Sequence, residues 1–158
     1  MGLPFSRLPL DCRYLKPNCG AGSSARREAS VKRILIVEDS ATMRSLIVAS
    51  LEELADPVKI VEAKSGFEAL RLLPRETFDL VVTDINMPDI NGLELASFLK
   101  SSEKHASTPL VIVSTEGAER DIQKGLGIGA DAYLVKPFDP EALRQIVLDL
   151  LAGRPLES

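Results

Sequence analysis

The sequence predicts an α/β fold, a doubly wound parallel sheet of five strands. Five short apolar runs, rich in β-branched residues, alternate with five segments of helical period. Strands that alternate with helices are joined by crossovers, which place the helices on both faces of a parallel sheet. The runs are almost continuously apolar, as is typical of strands covered on both sides.

The pattern assigns each element in turn. The predicted strands are residues 33–37, 58–62, 78–82, 109–113 and 132–135. The predicted helices are residues 41–54, 66–73, 92–100, 118–127 and 139–152. In the first helix apolar residues recur at steps of three and four, which gives one apolar face, and Ser40 precedes it as an N-cap. The glycine-rich run 125–130 follows a helix and precedes a strand, so we interpret it as a helix C-terminus rather than a dinucleotide-binding turn.

The chain of 158 residues has the size of one domain and divides by composition. Residues 1–30 have no apolar period, and we interpret them as a disordered extension. A start codon assigned too early is the alternative, which composition leaves open. Residues 31–153 form the predicted domain, and residues 154–158 form a short tail.

Charge and cysteine content exclude several functions. The net charge is −4, and the first 30 residues carry five basic and two acidic side chains, so the domain itself is more acidic than the whole. An acidic domain argues against nucleic acid as a direct partner. No apolar stretch is long enough to span a membrane. Both cysteines, Cys12 and Cys19, lie in the extension, so we expect no disulfide framework in the domain and a cytoplasmic location.

Polar side chains follow four of the five predicted strands, at the edge where open α/β sheets bind ligands. They are Glu38 and Asp39 after the first strand, Asp84 after the third, Ser114 and Thr115 after the fourth, and Lys136 after the fifth. Three clustered carboxylates repel one another unless a cation lies between them. Mg²⁺ is the expected cofactor because it prefers oxygen ligands. The lysine and a hydroxyl then suit a phosphoryl group.

Four runs resemble the response-regulator receiver family, whose single-domain members are CheY-like. They are ILIVEDSATMR (34–44), DLVVTDINMPDINGLEL (79–95), PLVIVST (109–115) and ADAYLVKPF (130–138). The resemblance covers residues 32–152. It implies a flavodoxin-like (βα)5 fold with strand order 2-1-3-4-5.

The resemblance also implies a role for each matching residue. Asp84 is the phosphoacceptor, which takes a phosphoryl group from a histidine kinase. The expected magnesium ligands are Glu38, Asp39 and Asp84, together with the backbone carbonyl of Asn86. Asp39 is expected to bind the metal directly, and Glu38 partly through water.

Three further residues carry roles by resemblance. Ser114 and Lys136 are expected to bind the phosphoryl group. Ser114 and Tyr133 are the expected switch residues, whose positions change on phosphorylation. The bond between Lys136 and Pro137 is expected to be cis, a rare isomer in general.

Two positions depart from the family pattern. Glu38 stands where aspartate is commonest, which favours a water-mediated contact with the metal. Thr115 stands where the family usually has a smaller residue. We expect Thr115 to modulate dephosphorylation by hindering the access of water or a phosphatase to Asp84.

The expected function is a phosphorylation-dependent binding switch in a two-component phosphorelay, with chemotaxis or motility as the pathway. The output is expected to be a separate protein that reads the face of the fourth helix, fifth strand and fifth helix. One alternative is a phosphatase or phosphotransferase with an aspartate nucleophile, although Asn86 stands where such enzymes need a second Asp. Another is a pseudo-receiver that docks without phosphorylation. His105, in a polar loop, is expected to be solvated.

Overall fold

The computed structural model describes residues 31–154 and residue 156. The predicted extension, with Cys12 and Cys19, lies outside the described residues, as does most of the predicted tail. The strands are β1 (Lys32–Val37), β2 (Val58–Ala63), β3 (Leu80–Thr83), β4 (Leu110–Ser114) and β5 (Ala132–Val135). The helices are α1 (Ala41–Glu52), α2 (Gly66–Leu72), α3 (Gly92–Ser101), α4 (Glu119–Ile128) and α5 (Pro140–Leu151).

The five strands form one parallel sheet in the order β2-β1-β3-β4-β5, which confirms the predicted topology. The central strand, β3, pairs with β1 on one side and β4 on the other. Thr83, its last residue, lies beside Val37 of β1 and Ile112 of β4. This register brings the carboxyl ends of the three strands to one edge of the sheet.

The core consists of two apolar clusters, one on each face of the sheet. Successive side chains of a strand point to opposite faces, so Leu35 joins one cluster and Ile36 the other. Leu35 packs in the cluster that includes Leu95 of α3. Ile36 packs in the cluster that includes Ile47 of α1 and Leu143 of α5. Both faces of the sheet are thus covered, as the apolar strands predict.

Local signals set the helix ends. The Ser40 hydroxyl accepts a hydrogen bond from the Met43 amide at 3.2 Å, so the predicted N-cap of α1 is confirmed. Gly129 ends α4 with φ +125°, a backbone angle that L side chains rarely adopt. The glycine-rich run is therefore a helix C-terminus, as predicted.

The prediction for His105 is wrong. Its side chain is buried, and its Nε2 lies 2.7 Å from the carbonyl oxygen of Leu73 at the end of α2. The segment after α3 folds back over this helix end, where Lys104 Nζ also donates to the Pro74 carbonyl at 2.8 Å. A polar sequence did not mean a solvated loop, because the free carbonyls of a helix end need donors.

Candidate functional site

The backbone holds two acidic residues just past the strand ends. The Glu38 amide donates to the Ala63 carbonyl at 3.1 Å, and the Asp84 amide donates to the Val37 carbonyl at 3.1 Å. Each bond continues the parallel ladder by one residue. The side chains of Glu38 and Asp84 are therefore placed by the sheet rather than by a free loop.

Glu38, Asp39 and Asp84 form an acidic cluster at this edge. One carboxylate oxygen of each lies within 4.8 Å of the others. Glu38 and Asp84 are only 1% and 6% exposed, whereas Asp39 is exposed. Burial of two carboxylates without an equal number of cations is costly, so the cluster has the chemistry of a site for a hard cation.

Lys136 joins the two buried carboxylates. Its Nζ lies 3.0 Å from Glu38 Oε1 and 3.2 Å from Asp84 Oδ2. Burial raises the pKa of Glu38, the bond from Lys136 opposes that rise, and the charge of Asp84 adds to it. Lys136 pairs with two of the three carboxylates of the cluster, and the negative charge that remains at this edge favours a dication.

The two oxygens of Asp84 have different surroundings. Oδ1 accepts from the amides of Ile85 at 2.7 Å and Asn86 at 3.4 Å. Oδ2 faces Lys136. The carboxylate is thus held by backbone donors on one side and open to the charged cluster on the other.

Glu116, which the sequence reasoning missed, links three of the predicted site residues. Its carboxylate accepts from the Asn86 side-chain amide at 3.0 Å, and its own amide donates to Ser114 Oγ at 3.1 Å. Its carbonyl accepts from the Tyr133 hydroxyl at 2.6 Å. No local pattern in the sequence marks this residue, since it lies in a loop two residues past β4. It connects Asn86, an expected metal ligand, to both expected switch residues.

The remaining predicted residues lie around this link. Ser114 is fully buried at the end of β4, and Thr115 beside it is exposed. Burial raises the pKa of the half-buried Tyr133 hydroxyl, and the bond to the Glu116 carbonyl shows that the hydroxyl is a donor. The bond between Lys136 and Pro137 is cis.

The arrangement suits the transfer of a phosphoryl group to a carboxylate. Such a reaction needs a carboxylate nucleophile, a cation site beside it and donors for the phosphoryl oxygens. Asp84 offers a carboxylate, the acidic cluster could hold a cation, and Lys136 and Ser114 offer donors. The fold and the residues at this edge therefore suit a domain that accepts a phosphoryl group on an aspartate.

Comparison with known proteins identifies the family. Residues 34–148 match the family model of the response regulator receiver domain. The chain belongs to this family.

Chemotaxis proteins are among the relatives. The chain is 38% identical over 120 residues to a chemotaxis protein CheY homolog of Campylobacter jejuni, a match that covers 75% of this chain and 92% of the relative. It is 34% identical to chemotaxis protein CheY1 of Helicobacter pylori, over 72% of this chain and 91% of the relative. The chemotaxis response regulator CheY4 of Vibrio cholerae superposes with a TM-score of 0.70 at 30% identity, over 77% of this chain and 99% of that one.

The described part of the chain contains no helix that is long and apolar enough to cross a membrane.

Proposed function

We propose that the chain accepts a phosphoryl group on Asp84 from a histidine kinase and signals by phosphorylation-dependent protein binding. One observation carries the proposal: Asp84 is buried within a cluster of three carboxylates, and its Oδ2 lies 3.2 Å from Lys136. The chain acts as a switch rather than as an enzyme with turnover, since it catalyses only its own phosphorylation and dephosphorylation.

The residues of the edge fit Mg²⁺. Asp39, Asp84 and the carbonyl of Asn86 would hold the ion directly. Glu38, which stands where the family commonly has the shorter aspartate, would act partly through water. When bound, the ion neutralises charge on the phosphoryl oxygens.

In the proposed transfer, a carboxylate oxygen of Asp84 forms a bond to phosphorus. The bond from phosphorus to the kinase histidine breaks, and its electron pair stays on the histidine nitrogen. Lys136 then pairs with a phosphoryl oxygen, and the Ser114 hydroxyl donates to another. Because Ser114 Oγ now accepts from the Glu116 amide, its reorientation disturbs the bond from Tyr133 to Glu116.

The proposed output surface lies beyond Tyr133. A groove of about 690 Å³ lies between α4, β5 and α5, and its apolar lining includes Ile122, Leu126 and Ile146. Tyr133 also lines this groove, so a change in its position alters the surface that a partner binds. The chemotaxis relatives support a pathway in chemotaxis or motility, with a cytoplasmic location.

Incubation with acetyl phosphate and Mg²⁺, followed by intact mass spectrometry, tests the proposal. We expect one phosphoryl group on the wild-type chain and none on Asp84→Asn. The matched control is Asp79→Asn, an exposed aspartate that precedes β3 at the opposite edge, which should be phosphorylated like the wild type. Failure of the wild type to gain mass with acetyl phosphate or a phosphorylated kinase would favour the pseudo-receiver.

A further inference from the structure

The carbonyl oxygen of Asp84 receives its hydrogen bond from a side chain. Asp84 lies just past the last residue of β3, and no backbone N–H in the described part of the chain donates to this oxygen. The Thr83 hydroxyl does so, at 3.0 Å. Thr83 is fully buried, so its hydroxyl needs a partner as much as the carbonyl does.

Gly92, the first residue of α3, packs directly against the same carbonyl. A Cβ atom built on Gly92 would lie 1.9 Å from the Asp84 oxygen and 2.8 Å from the Ile85 Cα. This close approach leaves no room for a water molecule on that side. Loss of the Thr83 hydroxyl would therefore leave a buried carbonyl without a donor, which is costly.

The peptide group between Asp84 and Ile85 connects this contact to the site. A peptide group is planar and moves as one unit. Its carbonyl accepts from Thr83, and its N–H donates to Asp84 Oδ1 at 2.7 Å. Rotation of the group would move both bonds together. The Thr83 hydroxyl and the Asp84 carboxylate are thus held at opposite ends of one rigid unit.

We propose that Thr83 is a positioning residue for the phosphoacceptor. Its hydroxyl fixes the peptide after Asp84, and that peptide fixes the carboxylate with Oδ2 directed to Lys136. Small displacements of a reacting group lower its rate steeply, so the loss of this contact should slow phosphorylation of Asp84. This consequence rests on the proposed function. Thr83 touches no reacting atom and acts only through the backbone.

The first test measures the position of the peptide without any phosphoryl donor. Thr83→Val keeps the shape and removes the hydroxyl, whereas Thr83→Ser keeps the hydroxyl. We expect the Ile85 amide to exchange with solvent about tenfold faster in Thr83→Val, relative to the Val81 amide, and normally in Thr83→Ser. Thr108→Val is the matched control, since Thr108 is buried at the opposite edge of the sheet. Unchanged exchange of Ile85 in a folded Thr83→Val chain would overturn the proposal.

The second test measures phosphorylation by acetyl phosphate. We expect Thr83→Val to lower the maximal rate about tenfold and to leave the half-saturating donor concentration unchanged. Thr83→Ser should lie within about twofold of the wild type, and Thr108→Val should equal it. Thr83→Cys, with a weak donor, should be intermediate, and it replaces Thr83→Val if that chain does not fold.

The two measurements separate the two proposals. If the Ile85 amide exchanges faster in Thr83→Val but the chain is phosphorylated at the wild-type rate, the positioning role is contradicted. A wild-type chain that takes no phosphoryl group contradicts the proposed function, and the exchange of Ile85 still decides the contact made by Thr83.

Discussion

The two edges of the sheet use the same residue types in opposite ways. At the amino edge, Asp79 accepts from the Arg33 amide at 2.8 Å, and Asp131 accepts from the Leu110 amide at 2.9 Å. Both aspartates are exposed, and Asp131 also has a lysine, Lys100, at 3.5 Å. At the carboxyl edge, Glu38 and Asp84 are buried and share Lys136. Residue type does not separate these two kinds of carboxylate, but position does, because the amino-edge aspartates precede a strand and the carboxyl-edge residues follow one.

The difference lies in burial and in charge balance. An exposed carboxylate with an amide donor and a nearby cation stabilises the fold slightly, because water screens what remains. Buried carboxylates that outnumber their cations destabilise it, and a fold keeps them only where another selective advantage exists. The stability of the fold therefore does not explain why carboxylates are buried at the carboxyl edge. Four predictions sharpen or break this comparison.

The largest expected effect is that of removing the shared lysine. Lys136→Met leaves two buried carboxylates without their cation, and we expect it to lower the free energy of unfolding by about 3 kcal/mol in metal-free buffer. Lys100→Met, the matched change at the amino edge, should cost less than about 1 kcal/mol because Asp131 is exposed. Urea denaturation measures both. Equal losses would show that the two edges do not differ in charge balance.

The second prediction is a difference in sign. Asp84→Asn removes one charge from the repelling cluster and should raise the free energy of unfolding by about 1 kcal/mol without metal. Asp131→Asn removes a charge that its surroundings stabilise and should lower it by up to about 1 kcal/mol. Millimolar Mg²⁺ should stabilise the wild type and narrow its gap to Asp84→Asn. A destabilising effect of Asp84→Asn would break the comparison.

Much of this difference could be anticipated from the sequence, because the residues that follow the predicted strands mark the carboxyl edge. The alternation of apolar runs placed every strand and helix within about two residues, and the ends of the strands gave Glu38, Asp84 and Lys136. The contacts of Glu116 and Thr83 could not be predicted. They depend on which backbone groups are left without partners at a strand end and in a loop, and only the tertiary packing decides that.

The third prediction concerns Asp89. This carboxylate lies at the carboxyl edge, but it accepts from backbone amides, as the aspartates of the amino edge do. Burial raises its pKa, but the amides of Phe67, Ile90 and Gly66 outweigh that effect and lower the pKa to about 2. A carboxyl group whose pKa is lower in the folded chain than in the unfolded chain stabilises the fold when the pH is above the unfolded-state pKa. This contribution is lost as the pH falls through the folded-state pKa.

Asp89 should therefore stabilise the fold fully above about pH 4, and this contribution should disappear between about pH 4 and pH 2. Because solvent screens this group, we expect less than about 1 kcal/mol. Urea denaturation of the wild type and Asp89→Asn at several pH values measures it. The difference between the two chains should be present at pH 6 and shrink toward pH 2; a constant difference would mean that charge on Asp89 is not its cause.

The smallest effect is expected at Thr115, which carries no charge and is exposed beside Ser114. If its side chain hinders water on the path to the phosphorylated Asp84, Thr115→Ala should lower the barrier to hydrolysis by about 0.5 kcal/mol, a two- to threefold faster loss of the phosphoryl group. Decay of the phosphorylated chain after removal of acetyl phosphate measures the rate. Thr108→Ala at the amino edge should decay like the wild type. Because Thr115 affects access and not charge, its substitution should leave the free energy of unfolding nearly unchanged, in contrast to the substitution of Asp84. Equal lifetimes of the two phosphorylated chains would show that access to Asp84 is controlled elsewhere.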